Sequence, residues 1–108
     1  MTNNSSIPKH ITDAFLVENL LKGILYYNNY GGSFSGIVSM IEEYIDQLQL
    51  PESGTVKDIK DLWAELEIIN ALALSEGLEP PAKHHKQAAI DLLNAVVREL
   101  HKLQERLD

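Results

Sequence analysis

The chain has 108 residues, of which 44% are hydrophobic and 23% are charged; this excludes wholesale disorder and leaves room for one domain core. It contains no cysteine, which excludes disulfides, thiolate catalysis and cysteine-ligated metals. Its net charge of −7 comes from residues 31–79, which alone sum to −8, and this sign disfavours binding to nucleic acid phosphates.

The first predicted helix covers residues 8–30. Pro8 suits its opening turn, because the N–H that proline lacks would have no partner inside the helix. Gly31 and Gly32 tolerate a positive φ and are expected to end it. The polar residues 1–7 before it are predicted to form a flexible N-terminus. Its apolar stripe consists of Val17, Leu20, Leu21, Ile24 and Tyr27.

The second predicted helix covers residues 34–49 and stops before Pro51. Ser33 or Ser35 is the expected N-cap, since a hydroxyl there accepts a hydrogen bond from the first turn. The apolar residues are spaced alternately three and four apart, as in a helix packed lengthwise on another. They are Phe34, Ile37, Ile41, Tyr44 and Leu48.

The third predicted helix covers residues 56–76. Thr55 followed by Asp58 forms an approximate capping box, and Gly77 is the expected C-terminal stop. The apolar positions repeat the same spacing at Ile59, Leu62, Leu66, Ile69 and Ala73.

The fourth predicted helix covers residues 82–106, after two prolines. Its apolar positions are Ala89, Leu93, Val96, Leu100, Leu103 and Leu107. Because every stripe is one-sided and the connections are short, the sequence predicts one domain over residues 8–108, an all-α antiparallel four-helix bundle. A homodimer through the fourth helix is an alternative way to cover its long stripe.

The sequence gives little support for a catalytic or metal-binding centre. None of the four histidines stands four residues from another, so no helix presents two of them to one metal ion: His10, His84, His85 and His101. The segment 31–36 spaces its glycines as a phosphate loop does, but Ile37 stands where the lysine is needed. We therefore predict no enzyme, no metal and no cofactor.

Two surface features favour binding to a protein. The segment from Tyr26 to Ser35 is rich in Tyr, Asn, Gly and Ser, a composition typical of binding loops. Tyr26, Tyr27 and Tyr30 cannot all face one core, so at least one is expected on the surface.

Acidic residues form the second feature. Glu42 and Asp46, like Asp61 and Glu65, are spaced four apart and share a helix face, which by default is a solvated face. If the second and third helices are neighbours, their acids form one negative patch. The predicted partner-binding residues are Tyr26, Tyr27, Tyr30, Glu42, Glu43, Asp46, Asp58, Asp61 and Glu65.

These features lead to the hypothesis of a cytoplasmic, non-enzymatic inhibitor: an immunity protein or antitoxin that neutralises a basic, nuclease-like toxin. In size, charge and helical content the chain resembles immunity proteins as a class, and no residue motif carries that likeness. The alternatives are a regulatory or adaptor bundle that binds a partner helix, a structural homodimer, and an acidic decoy of nucleic acid. No membrane or nucleic acid partner is expected.

Overall fold

A computed structural model describes residues 9–48, 54–77 and 83–107. These residues form four α-helices, named α1 (Lys9–Tyr30), α2 (Phe34–Gln47), α3 (Gly54–Ser75) and α4 (Lys83–Leu107). The predicted all-α fold is confirmed, and each observed helix end lies within two residues of its prediction. The predicted flexible N-terminus, residues 1–7, lies outside the described residues.

The four helices form an antiparallel bundle. Each helix contacts the next one along the chain and α4 contacts α1, while the diagonal pairs make no contact in the described ranges. Between α2 and α3, Trp63 bonds to Val38 and Asn70 to Ser35, so residue numbers rise along one helix as they fall along the other. The helices α2 and α3 are therefore antiparallel neighbours.

The core draws side chains from all four helices, and residues of the predicted stripes make up most of it. Four further apolar residues are buried beside the stripes: Leu16 on α1, Val38 and Ile45 on α2, and Val56 on α3. A bundle helix packs against two neighbours, so the buried face is wider than a narrow three-and-four stripe. The largest fully buried side chains are Val17, Leu20, Ile24, Phe34, Val38, Ile41, Ile59, Leu66, Leu93, Val96, Leu100 and Leu103.

The helix ends follow local chemistry. Ser33 is the N-cap of α2, where its Oγ accepts a hydrogen bond of 2.9 Å from the Gly36 N–H. Gly31, Gly32 and Gly77 have positive φ, as predicted for residues that end a helix. The predicted capping box at Thr55 is wrong, because α3 begins at Gly54 and Thr55 lies within its first turn.

None of the helices, over the part of the chain described, combines the length and the apolar composition that a membrane-spanning segment needs.

Candidate partner-binding surface

Tyr26 and Tyr30 form an exposed aromatic pair at the end of α1. Their ring centroids are 4.9 Å apart, their planes are tilted by 46°, and the residues are 65% and 75% exposed. Tyr27 faces the other way and is partly buried, with its ring centroid 6.3 Å from that of Phe34. The expectation that at least one of these tyrosines is exposed is therefore confirmed.

The acidic residues of the chain are concentrated in the half of the bundle formed by α2 and α3. These two helices carry seven acidic and two basic residues, whereas α1 and α4 carry five acidic and seven basic ones. Because α2 contacts α3 and α4 contacts α1, the uneven charge of the sequence becomes two layers of unlike charge. A negative layer attracts positively charged surfaces.

A groove between α2 and α3 brings two of the predicted acids together. Glu42 and Asp46 line it from α2, while Lys60 and Trp63 line it from α3, with a volume of about 260 Å³. Lys60 offsets one of the two carboxylates. The groove therefore combines an aromatic side chain with one net negative charge, two features that suit a cation.

Trp63 is held in position by its own ring nitrogen. Its Nε1–H donates a hydrogen bond of 3.0 Å to the Val38 carbonyl oxygen on α2, and its ring packs against the core. An indole fixed in this way presents its remaining surface to the groove with little conformational freedom to lose on binding. Trp63 was not among the predicted site residues, although its position between Ile59 and Leu66 places it beside the α3 stripe.

The other predicted acids are exposed but lie elsewhere. The carboxylate of Asp61 forms an ion pair of 3.1 Å with the Lys57 ammonium one turn away. Glu65 lines a different groove, between α3 and α4, and Asp58 stands two turns before it on the same side of the helix. Glu43 is turned about 100° from Glu42 around α2. The six predicted acids of α2 and α3 are therefore spread over several faces of one layer.

The aromatic pair and the α2–α3 groove lie on different faces. Gly23 and Tyr27 face α2, whereas Leu21 and Leu25 line the groove between α1 and α4. Tyr26, two residues after the buried Ile24, therefore points outward from the bundle. A flat partner surface that covers Glu42 does not also cover Tyr26.

Asn70 is a buried polar residue that sequence analysis did not single out. It is 5% exposed on α3, and its Nδ2 lies 3.3 Å from the Ser35 hydroxyl oxygen on α2. Its Oδ1 has no hydrogen-bond donor within reach among the described residues. Its place next to Ile69 on the buried face is the only signal in the sequence.

The apolar stripe of α4 is buried inside the bundle. Ala89, Leu93, Val96, Leu100 and Leu103 are all buried against the other helices, and the side chain of Leu107 lies outside the description. A homodimer through α4 would have to use another face of that helix.

Among the described residues, no group of three or more His, Asp or Glu side chains is placed to hold a metal ion. No family model matches the chain, and neither the curated proteins nor the solved structures contain a match.

Proposed function

We propose that this protein is a non-enzymatic inhibitor that binds a basic protein, in the manner of an immunity protein or antitoxin that neutralises a nuclease-like toxin in the cytoplasm. The absence of cysteine suits a reducing compartment. The observation that carries the proposal is the groove between α2 and α3, where Glu42 and Asp46 stand beside Trp63.

The groove suits an arginine or lysine side chain of the partner. A cation over an indole contributes about 0.5–1 kcal/mol at an exposed site and about 2 kcal/mol when water is excluded. Carboxylates beside it add hydrogen bonds to the same cation. Such a contact can anchor an interface, since tryptophan and arginine are enriched among the residues that dominate binding energy.

The remaining acids of the layer act at longer range. Exposed ion pairs each contribute at most about 1 kcal/mol, so Asp58, Asp61 and Glu65 add little to affinity. Their shared negative potential raises the rate of encounter with a positive surface, and salt screens this effect. Tyr26 and Tyr30, on the outer face of α1, remain a predicted second contact for a partner that extends over that side.

Affinity capture tests the proposal. The immobilised chain is exposed to a native lysate of the source cells, and bound proteins are eluted in steps of rising salt and identified by mass. The same is done with Glu42→Lys/Asp46→Lys, and with a matched control of equal charge change outside the groove, Glu43→Lys/Glu105→Lys.

The proposal expects a basic protein on the wild-type and control columns that elutes with salt and is missing from the groove variant. Its catalytic activity, once it is identified, should be lost on addition of the wild-type chain. Equal retention on all three columns, or retention of acidic proteins alone, contradicts the proposal.

A further inference from the structure

The outward positions in the second half of α3 are unusually apolar. From Ile68 to Leu74 the sequence contains no charged residue. Ile69 and Ala73 point into the core, but Ile68 and Leu72 are 61% and 42% exposed. A surface helix of a bundle normally places polar residues at such outward positions, so an apolar face is left without a neighbour among the residues that the structure describes.

This exposed face continues into a groove. Ile68 and Ile69 of α3 meet Ala88 and Leu92 of α4 along a surface groove of about 430 Å³. Leu72 lies one turn beyond Ile68 on the same side of α3 and prolongs the apolar strip. Contiguous apolar surface of this kind on a small domain marks an interaction site more often than isolated exposed side chains do.

Both walls of the groove are acidic. Glu65 stands on the α3 wall and Asp91 on the α4 wall, and none of the described residues that line the groove is basic. The Asp91 carboxylate accepts a hydrogen bond of 2.9 Å from the Gln87 amide, a neutral donor that leaves its negative charge in place. An occupant of this groove therefore meets an apolar floor between two negative rims.

We propose that this groove, defined by Glu65, Ile68, Ile69, Leu72, Ala88, Asp91 and Leu92, binds an amphipathic helix of a partner protein with lysine or arginine residues beside its apolar stripe. The inference goes beyond the inhibitor function, because it depends on neither the α2–α3 groove nor a toxin.

The groove favours a helix over an extended peptide. Its walls are helices, whose backbone groups bond within themselves and offer no free edge to an added strand. A helix places apolar side chains at i, i+3, i+4 and i+7, which matches a strip running along α3. Basic residues beside that stripe would meet Glu65 and Asp91 and match the charge of the rims.

A second copy of this chain is a poorer occupant. Each copy has a net charge of −7, and its own strip lies beside Glu65 and Asp91, so two copies would bring acidic rims together. Like charges at close range suppress such pairing.

Binding of designed peptides tests the inference. Two acetylated and amidated peptides of about 18 residues, long enough to hold a helix, share a leucine stripe at i, i+3, i+4 and i+7. One carries lysine and the other glutamate at the remaining positions. Calorimetry measures their affinity for the wild-type chain and for Ile68→Gln/Leu72→Gln.

Two further variants make the result specific. Phe15→Gln/Leu25→Gln removes two apolar side chains that are 67% and 59% exposed on α1, away from the groove. Glu42→Lys/Asp46→Lys alters the α2–α3 groove and leaves the α3–α4 groove intact. All the substituted positions except Leu72 are more than half exposed or polar, so melting temperatures should stay near that of the wild type.

The lysine peptide is expected to bind the wild-type chain and the variants on α1 and α2 with similar affinity. Ile68→Gln/Leu72→Gln should weaken it roughly tenfold or more, since two apolar side chains that the bound peptide covers are lost. The glutamate peptide should not bind. Equal affinity for all variants overturns the inference. A wild-type chain that sediments as a dimer, and that Ile68→Gln/Leu72→Gln returns to a monomer, overturns it as well. Loss of binding in Glu42→Lys/Asp46→Lys alone overturns it while leaving the inhibitor proposal standing.

Discussion

Replacing Asn70 with leucine is expected to stabilise the protein, although the substitution removes a hydrogen bond. Asn70 is 5% exposed, its Nδ2 lies 3.3 Å from the Ser35 hydroxyl, and its Oδ1 has no donor among the described residues. The two side chains branch at the same carbon, but leucine is the larger, so the neighbouring side chains must repack to accept it.

The magnitude follows from three contributions. A buried amide oxygen without a donor costs about 1–3 kcal/mol, and leucine removes that cost. The long bond to Ser35 contributes roughly 0.5–1 kcal/mol, which is lost. Burying methyl groups in place of an amide adds stabilisation, part of which repacking offsets. We expect a net gain of about 1–2 kcal/mol, or about 5–10 °C in melting temperature for a domain of this size.

Urea and thermal unfolding followed by far-UV circular dichroism measure this gain. Asn94→Leu is the matched control, because Asn94 is exposed on α4. The two substitutions share only the gain in helix propensity from asparagine to leucine, worth a few tenths of a kcal/mol. If Asn70→Leu is less stable than the wild type by about 1 kcal/mol or more, the amide contributes net stability and its oxygen is satisfied in solution.

Three further predictions concern single contacts. Ser33→Ala removes the N-cap of α2 and should cost about 1 kcal/mol in urea unfolding, whereas Ser33→Gly should cost only a few tenths. Trp63→Phe loses the hydrogen bond to the Val38 carbonyl and should lower the free energy of unfolding by about 1–2 kcal/mol; an unchanged midpoint would mean that the indole is not anchored. Tyr26→Ala/Tyr30→Ala should leave calorimetric stability within about 0.5–1 kcal/mol of the wild type, because both rings are largely exposed; a larger loss would place them in the core.

Periodicity and local chemistry were enough to predict the fold. The apolar spacing located four helices, and paired glycines and a serine located the junction of α1 and α2. The sequence does not fix the start of α3, because Thr55 suits the N-cap position as well as a position within the first turn. The observed helix bounds place Thr55 within the first turn.

The candidate site was only partly predictable, because a sequence gives the face of a helix on which a residue lies and not the neighbour which that face meets. Glu42 and Glu65 were grouped by charge, yet Glu42 borders α3 and Glu65 borders α4. The exposure of Ile68 was hidden for the same reason. An apolar residue beside a stripe is expected to be buried until the bundle shows that no helix covers it.

The cation-binding groove can be tested on the protein alone, because Trp63 is the chain's only tryptophan and its fluorescence reports directly on that groove. A short arginine-rich peptide is titrated against the wild-type chain, Glu42→Lys/Asp46→Lys and Glu43→Lys/Glu105→Lys, at low and at high salt. We expect a saturable change in Trp63 emission for the wild type and for Glu43→Lys/Glu105→Lys, weakened by salt, and none for Glu42→Lys/Asp46→Lys. An emission that stays constant, or that changes equally in all three proteins, would contradict this expectation.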